Sequence, residues 1–195
     1  MRTLCLVTMT WMALGLAPEA GAEPPRLAPF ARVRPISREA EALIREGAER
    51  STTIRTMLAR IEVSDVIVYV DTQITPRRLV AAWTRFVSSS PVSRVLRVHV
   101  DPTYPRQVRL ALLGHELRHV IEIVEAPGIR TVEDMLRHYR THGVETGDNQ
   151  YDTAAAVETG YIVSDELLRS RGAARLAALR ERDRRALSSG GSIGG

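Results

Sequence analysis

An α+β fold is the class that the sequence predicts, and three features of the chain predict it. Apolar residues recur at helical spacing over 38–60, stretches rich in β-branched residues follow between 66 and 100, and helical spacing returns from about residue 105. Turns that contain Pro76 and Pro91 separate the strand candidates at short intervals. This pattern favours a small sheet that is mostly antiparallel or mixed.

The N-terminal 22 residues are typical of a cleaved export signal. Arg2 is followed by an apolar run over 4–16 that is too short to cross a bilayer comfortably, and Ala20-Gly21-Ala22 supplies the small residues of a cleavage site. We predict a secreted or periplasmic protein cleaved near Ala22, with an uncleaved anchor as the alternative. Because the single cysteine, Cys5, lies in this segment, the mature chain would lack disulfides and thiolate ligands.

The rest of the chain has the length of one domain. Residues 23–36 are rich in Pro, Ala and Arg and predict an extended lead-in, 37–187 form a single domain, and the Gly/Ser-rich 188–195 are expected to be disordered. Ser37 is a predicted N-cap for the 38–60 helix, which would cover the sheet and break, if at all, near Gly47.

The positive charge comes entirely from arginine, with 27 arginines and no lysine against 23 acids, for a net charge of +4. A basic chain can bind nucleic acid, but these arginines are interleaved with acids and aromatic residues are few, so we expect no nucleic-acid partner. We also expect no stable membrane insertion. The arginine-rich stretch 169–186 could dock on a partner or an anionic surface, although a solvated terminal helix is favoured.

Strand candidates occupy 66–70, 79–87 and 94–100. In the last of them apolar and polar residues alternate, which predicts one buried face and one polar face. His99 lies on the polar face, where we expect it to be exposed rather than a metal ligand. Since this strand comes directly before the next helix, it could form an edge that pairs with an extended peptide.

The sequence His115-Glu116-Leu117-Arg118-His119 carries the chemistry of the chain. Histidines four positions apart lie one turn above each other on a helix, so both can bind one zinc ion while the glutamate lies beside its open position. Apolar residues fall on a different arc of the same helix, which Pro127-Gly128 ends. The alternative is two surface histidines on an ordinary amphipathic helix.

A third ligand must be a histidine or a carboxylate, since the mature chain would have no thiol. Asp152 and Glu158 are the candidates on a helix predicted from about residue 151 to 169, and they lie on different faces of it. Small residues, including Ala155 and Ala156, share the face of Asp152 and would allow close approach to the metal helix. We therefore favour Asp152, with Glu158 as the alternative and Glu122 or no third ligand as the remainder.

The segments 113–122 and 151–156 together resemble the gluzincin type of HExxH metallopeptidase. Ala155 and Ala156 match the small residues that follow the third ligand in that family, while Asp152 stands where the family normally has glutamate. The resemblance implies a zincin-like fold with an N-terminal covering helix, an active-site helix and a C-terminal helical subdomain. It also implies an exported zinc metallopeptidase that acts on a peptide or protein; the alternative is a degenerate zincin that serves as a non-catalytic metal- or protein-binding module.

In such an enzyme His115, His119 and Asp152 would hold Zn²⁺ and Glu116 would act as general base. Glu122 faces the same way as the histidines, and it would either orient His119 or simply pair with a surface arginine.

Other residues could also contribute to the reaction. The oxyanion could be supported by Tyr161, Tyr139 or His142, among which the sequence does not decide. His138 and His142 lie on a short helix predicted after Thr131, and we expect them at the surface or the rim of a cleft.

Overall fold

The computed structural model describes residues 31–74, 80–147 and 150–189, with side chains as far as residue 182. Within these ranges the chain is α+β, with five helices, a four-stranded sheet and a separate two-stranded hairpin. In chain order the elements are β1 (Val33–Pro35), α1 (Arg38–Arg50), α2 (Thr52–Glu62), β2 (Val66–Asp71), β3 (Ala82–Ser90), β4 (Ser93–Val100), α3 (Arg106–Glu125), α4 (Val132–His142), β5 (Val144–Gly147), β6 (Gln150–Asp152) and α5 (Ala154–Ser189).

The sheet is mixed, which agrees with the broader expectation from the sequence. Its strand order is β1-β2-β4-β3, with β1 and β4 both parallel to β2 and β3 antiparallel to β4. The prediction that 94–100 forms an edge strand is wrong, because β4 pairs on both sides and β3 occupies the edge instead. A short turn at Pro91 joins β3 to β4, so β3 folds back along the outer side of its partner.

The hydrophobic core lies between one face of the sheet and the helices α1, α2 and α3. Alternate residues of the two central strands point into it, as the period of a pleated strand requires. The fully buried strand residues are Val66, Val68, Val70, Leu96, Val98 and Val100. Helical residues that meet them in the core include Leu43, Ile54, Leu58, Leu110, Leu113, Leu117 and Ile121.

The predicted 38–60 helix is two helices, and the break lies at Ser51 rather than near Gly47. The Ser51 hydroxyl accepts a hydrogen bond from the backbone N–H of Ile54 at 3.0 Å and thereby caps α2. Gly47 remains inside α1, where the Ile54 side chain packs so closely that an added Cβ would lie 3.0 Å from it. The break between α1 and α2 is therefore at the Ser51 cap, whereas Gly47 allows the two helices to pack closely.

The predicted domain ends change in detail. Residues 33–35 of the proposed lead-in are extended, as expected, but they form β1, which pairs with β2. At the other end α5 is one helix to Ser189, two residues into the tail predicted to be disordered. The proposed signal peptide and residues 190–195 lie outside the described residues.

His99 is buried, which contradicts the prediction that it is exposed. Its side chain is 1 % exposed because the Trp83 ring from β3 stacks on it, with ring centroids 5.1 Å apart. Burial lowers the pKa of His99, so the neutral ring is favoured at this position. The alternation along β4 therefore predicted which face of the sheet carries His99, but it did not predict that Trp83 of the neighbouring strand covers that ring.

A buried arginine fixes the C-terminal end of α3 to the sheet. Arg94 of β4 is 1 % exposed and donates to both carboxylate oxygens of Asp65, at 2.6 and 2.9 Å. Its other terminal nitrogen donates to the backbone carbonyls of Ile123 and Ala126, at 2.5 and 3.0 Å. Ile123 lies in the last turn of α3 and Ala126 is its C-cap. Their carbonyls also accept from the backbone N–H groups of Ala126 and Ile129, at 3.2 and 3.0 Å, so Arg94 adds a side-chain donor at this helix end.

This ion pair predicts a specific loss of stability in acid. The hydrogen bond from Arg94 holds the pKa of Asp65 below its usual value of 3.8, so the stabilisation is complete above that value and is lost as the pH falls through the lower pKa of the folded state. We expect the difference in unfolding free energy between the wild type and Asp65→Asn to be constant near neutral pH and to shrink below about pH 4. Urea denaturation at a series of pH values measures it, and a gap independent of pH would contradict the assignment.

Candidate metal centre

The HExxH motif, residues 115–119, lies on α3, which runs without interruption from Arg106 to Glu125. Helical geometry places His115 and His119 one turn apart, and their rings meet edge to face with centroids 5.0 Å apart. The side chain of His119 is 8 % exposed and that of His115 is 19 % exposed. Both imidazoles therefore border a space that is only partly open to solvent.

Asp152 joins these histidines, but it does so from a strand. It is the last residue of β6, and α5 begins two residues later at Ala154. The Thr153 hydroxyl accepts from the backbone N–H of Ala156 at 3.1 Å, so Thr153 supplies the cap that starts the helix. The premise that Asp152 and Glu158 share one helix is thus wrong, and Glu158 is exposed on α5 and outside the cluster of described residues.

His115, His119 and Asp152 together could hold a metal ion. Asp152 Oδ1 lies 3.3 Å from His115 Nε2 and 3.5 Å from His119 Nε2. Ligand atoms about 2.05 Å from a tetrahedral metal are about 3.3 Å from each other, so the observed separations suit such a centre. Two imidazoles and a carboxylate also form a donor set that zinc accepts while one position remains open.

Glu122 fixes the orientation of His119. One carboxylate oxygen lies 2.9 Å from His119 Nδ1, and the other accepts a 2.6 Å hydrogen bond from the Thr153 hydroxyl. Because Nδ1 is engaged in this way, Nε2 is the atom directed toward Asp152. Arg118 lies farther away, 3.8 Å from Glu122 and 3.7 Å from Glu125, so the surface pairing is the weaker of the two contacts expected for Glu122.

Glu116, the acid of the motif, is buried. The residue is 4 % exposed, and its Oε2 accepts a 2.7 Å hydrogen bond from the Thr84 hydroxyl of β3. Burial raises the pKa of Glu116 to about 7, against the opposing influence of His119 and of the Thr84 hydrogen bond. Nothing in the motif itself indicated Thr84, whose position follows from the pairing of β3 with β4.

The three possible ligands differ in their protonation. Burial opposes the charged form of His119, but hydrogen bonds with Asp152 and Glu122 outweigh it and raise the pKa of His119 to about 9. Burial lowers the pKa of His115, although the nearby Asp152 acts in the opposite direction. Asp152 itself is partly buried, yet its contacts with His119 and His115 hold its pKa below the usual value. The carboxylates of Asp152 and Glu122 therefore favour the protonated form of His119.

The three candidates for oxyanion support lie in different places. Tyr139 lines the cleft, but its hydroxyl donates to the backbone carbonyl of His119 at 3.2 Å. Tyr161 is 73 % exposed and lies on the outer side of α5. His142 is exposed on α4, where it stacks on His138, and neither ring belongs to the metal cluster. A residue that the sequence reasoning missed, Tyr151, lines the cleft on the strand that carries Asp152.

The helices α3 and α5 cross closely beside the centre. A Cβ on Gly114 would lie 2.6 Å from the side chain of Val163, and a Cβ on Gly160 would lie 3.6 Å from that of His115. Gly114 therefore permits a helix approach that a larger residue would prevent. This approach places Thr153, at the start of α5, within reach of Glu122.

A cleft of about 600 Å³ opens in front of the cluster. The edge strand β3 forms one wall, α4 forms a second, largely apolar wall, and the β5–β6 hairpin closes the third side. Residues that line it besides the cluster include Thr84, Phe86, Val132, Met135, Leu136, Tyr139 and Tyr151. A cleft of this size can take several residues of a peptide.

No match to this chain was found among protein-family models, curated proteins or solved structures. Among the described residues there is no helix that is both long and apolar enough to cross a membrane. The interpretation of the centre therefore depends on its own geometry and on the motif in the sequence.

Proposed function

We propose that this protein is an exported zinc-dependent metallopeptidase with a zincin-like active site. The observation that carries the proposal is the convergence of His115, His119 and Asp152 beside the buried carboxylate of Glu116, at the floor of a cleft. Nitrogen and oxygen donors at tetrahedral spacing suit zinc. An acid with a pKa near neutrality beside the same space suits proton transfer.

Each residue of the centre has a distinct part in the proposed reaction. His115, His119 and Asp152 would hold the zinc, which when bound lowers the pKa of a water molecule and polarises a carbonyl group. Glu122 keeps the Nε2 atom of His119 directed at the metal position, and Thr153 in turn holds Glu122.

Glu116 would transfer the proton. Thr84 occupies its Oε2 atom, so Oε1 is free to accept a proton from the attacking water and to pass it to the nitrogen of the departing amine. Burial raises the pKa of Glu116, and the charge of a bound cation would act in the opposite direction.

The edge strand supports an extended peptide as the substrate. Residues 82–86 of β3 line the cleft, and β3 has a partner on only one side in the part of the chain that the structure describes. A peptide could add to the free edge through backbone hydrogen bonds, which would bring its carbonyl groups past Glu116. The sequence predicted that 94–100 would pair with a peptide in this way, but these residues belong to β4, which is an interior strand.

Metal analysis combined with a peptide assay tests this function. We expect about one zinc per chain in the wild type, at least tenfold weaker binding in His119→Ala and in Asp152→Ala, and unchanged binding in Glu158→Ala, the matched carboxylate control. The wild type should also cleave members of a fluorogenic peptide library. Absence of zinc after reconstitution would refute the metal centre, whereas stoichiometric zinc without cleavage would favour the non-catalytic binding module.

A further inference from the structure

Helix α5 has two apolar faces, only one of which is covered. Residues packed against the body of the protein are Ala156, Thr159, Val163 and Leu167, each no more than 9 % exposed. A second set points away from the body: Val157, Tyr161, Leu168, Leu176 and Leu179, which are between 38 % and 73 % exposed. We call this second set the outer stripe.

The outer stripe is straight, and Asp165, which pairs with Arg169 at 2.8 Å, lies within its arc between Tyr161 and Leu168. At about 100° per residue its five side chains fall within an arc of about 100°, nearly opposite the packed face. It extends from Val157 to Leu179, about 33 Å at 1.5 Å per residue. The residues of α5 that pack on the body lie on the other side of the helix, so the stripe itself is exposed to solvent.

Arginines border the outer stripe along its distal half. The segment 169–182 carries five arginines and one glutamate, a net charge of +4. On the helix Arg180 and Arg169, which pairs with Asp165, fall along one margin of the stripe, and Arg171, Arg175 and Arg182 fall along the other. Residues 171–182 are all exposed, so these guanidinium groups surround apolar side chains that have no partner in the described structure.

We propose that the outer stripe docks on an anionic lipid surface. A helix with an exposed apolar stripe between rows of cationic residues is suited to lie in the interface of a bilayer, with the apolar side chains among the lipids and the cations at the phosphates. Arginine binds phosphate oxygens in pairs and is therefore suited to such headgroups. The charge of the segment is the feature that favours this occupant over a second copy of the chain, since two segments of +4 repel each other.

Vesicle flotation tests the proposal with the purified protein. We expect binding to vesicles of phosphatidylcholine that contain phosphatidylglycerol and none to phosphatidylcholine alone. The triple variant Arg171→Gln, Arg175→Gln, Arg182→Gln should bind roughly 100-fold more weakly, about fivefold for each arginine lost. The variant Leu168→Ser, Leu176→Ser, Leu179→Ser keeps the charge and should lose at least tenfold.

A control with equal net charge separates a docking site from general attraction. The triple variant Arg45→Gln, Arg60→Gln, Arg137→Gln removes three arginines that are at least 53 % exposed and lie outside α5. It should bind anionic vesicles within about threefold of the wild type, since the removed charges do not border the outer stripe and charges away from the contact are screened by salt.

Three results would overturn the proposal. Absence of wild-type binding to anionic vesicles is one, and an equal loss in the control triple is another. The third is a wild-type dimer in light scattering that the leucine variant dissociates while vesicles stay unbound, which would make the stripe an interface between copies. None of these results depends on metal or peptidase activity, and circular dichroism verifies that each variant is folded.

Discussion

The variant Glu116→Gln should lose roughly 10²- to 10⁴-fold in peptide hydrolysis, the contribution expected of a positioned general base. The amide has nearly the shape of the carboxylate and can still accept the Thr84 hydrogen bond, but it cannot take a proton from water. Zinc should remain bound, since Glu116 is not one of the three converging donors. Initial rates on a fluorogenic peptide, measured at equal zinc content, give the comparison.

The matched control is Glu158→Gln, which makes the same chemical change at an exposed carboxylate of α5. Its rate should stay within about threefold of the wild type, because surface substitutions away from a site are usually near neutral. A Glu116→Gln enzyme that kept a comparable rate with zinc bound would remove Glu116 from the proton-transfer role and would require another base in the cleft.

Arg94→Met is expected to lower the free energy of unfolding by about 1.5–3 kcal/mol, the range for hydrogen bonds that involve a charged group. The change leaves Asp65, which is 32 % exposed, with the more distant guanidinium of Arg130 at 3.6 Å, and it removes the side-chain donor to the Ile123 and Ala126 carbonyls at the end of α3. Since α3 also carries the metal motif, heat or urea should disorder the centre at a lower midpoint. Urea unfolding followed by circular dichroism measures the change.

Arg137→Met supplies the comparison for this prediction. Arg137 also pairs with an acid, Asp134 at 3.0 Å, but its side chain is 74 % exposed. A pair at the surface contributes at most about 1 kcal/mol, so the control should unfold nearly as the wild type does. Equal effects of the two substitutions would mean that the burial of Arg94 has no energetic consequence.

The parts of the fold that could be predicted from the sequence are those governed by local periodicity. The helix that carries His115 and His119, the strand 66–70 and the N-cap at Ser37 all lie where spacing and capping chemistry place them. The order of the strands in the sheet could not be predicted from local periodicity. Whether 94–100 lies at the edge or in the middle depends on pairing with β2 and β3, which no single strand encodes.

Asp152 illustrates how a residue of the candidate site can be favoured by an argument whose structural premise is wrong. We favoured it because a helix rich in small residues could approach the metal helix closely, and that close approach is found at Gly114 and Gly160. Asp152 itself, however, precedes the helix that was used to compare it with Glu158. Thr153 was the available signal, since a threonine before a run of alanines is a favourable N-cap.

Thr84 and Thr153 were missed for a different reason. Threonine is frequent on strands and at helix starts, and its sequence context does not show that its hydroxyl will face a carboxylate. Their parts at Glu116 and Glu122 arise only when β3 and the start of α5 meet α3. Contacts of this kind join segments that are distant in the sequence, so they become visible only in the tertiary structure.

The origin of Asp152 in the β5–β6 hairpin has a consequence for the thermodynamics of the chain. A metal ion held by Asp152 and by the histidines of α3 would join two segments that are far apart in the sequence. Such an ion stabilises the folded chain to the extent that it binds the folded state and not the unfolded one, so its contribution rises with the free metal concentration. In a domain without cysteine, ion availability would then set the stability that secreted domains commonly obtain from disulfides.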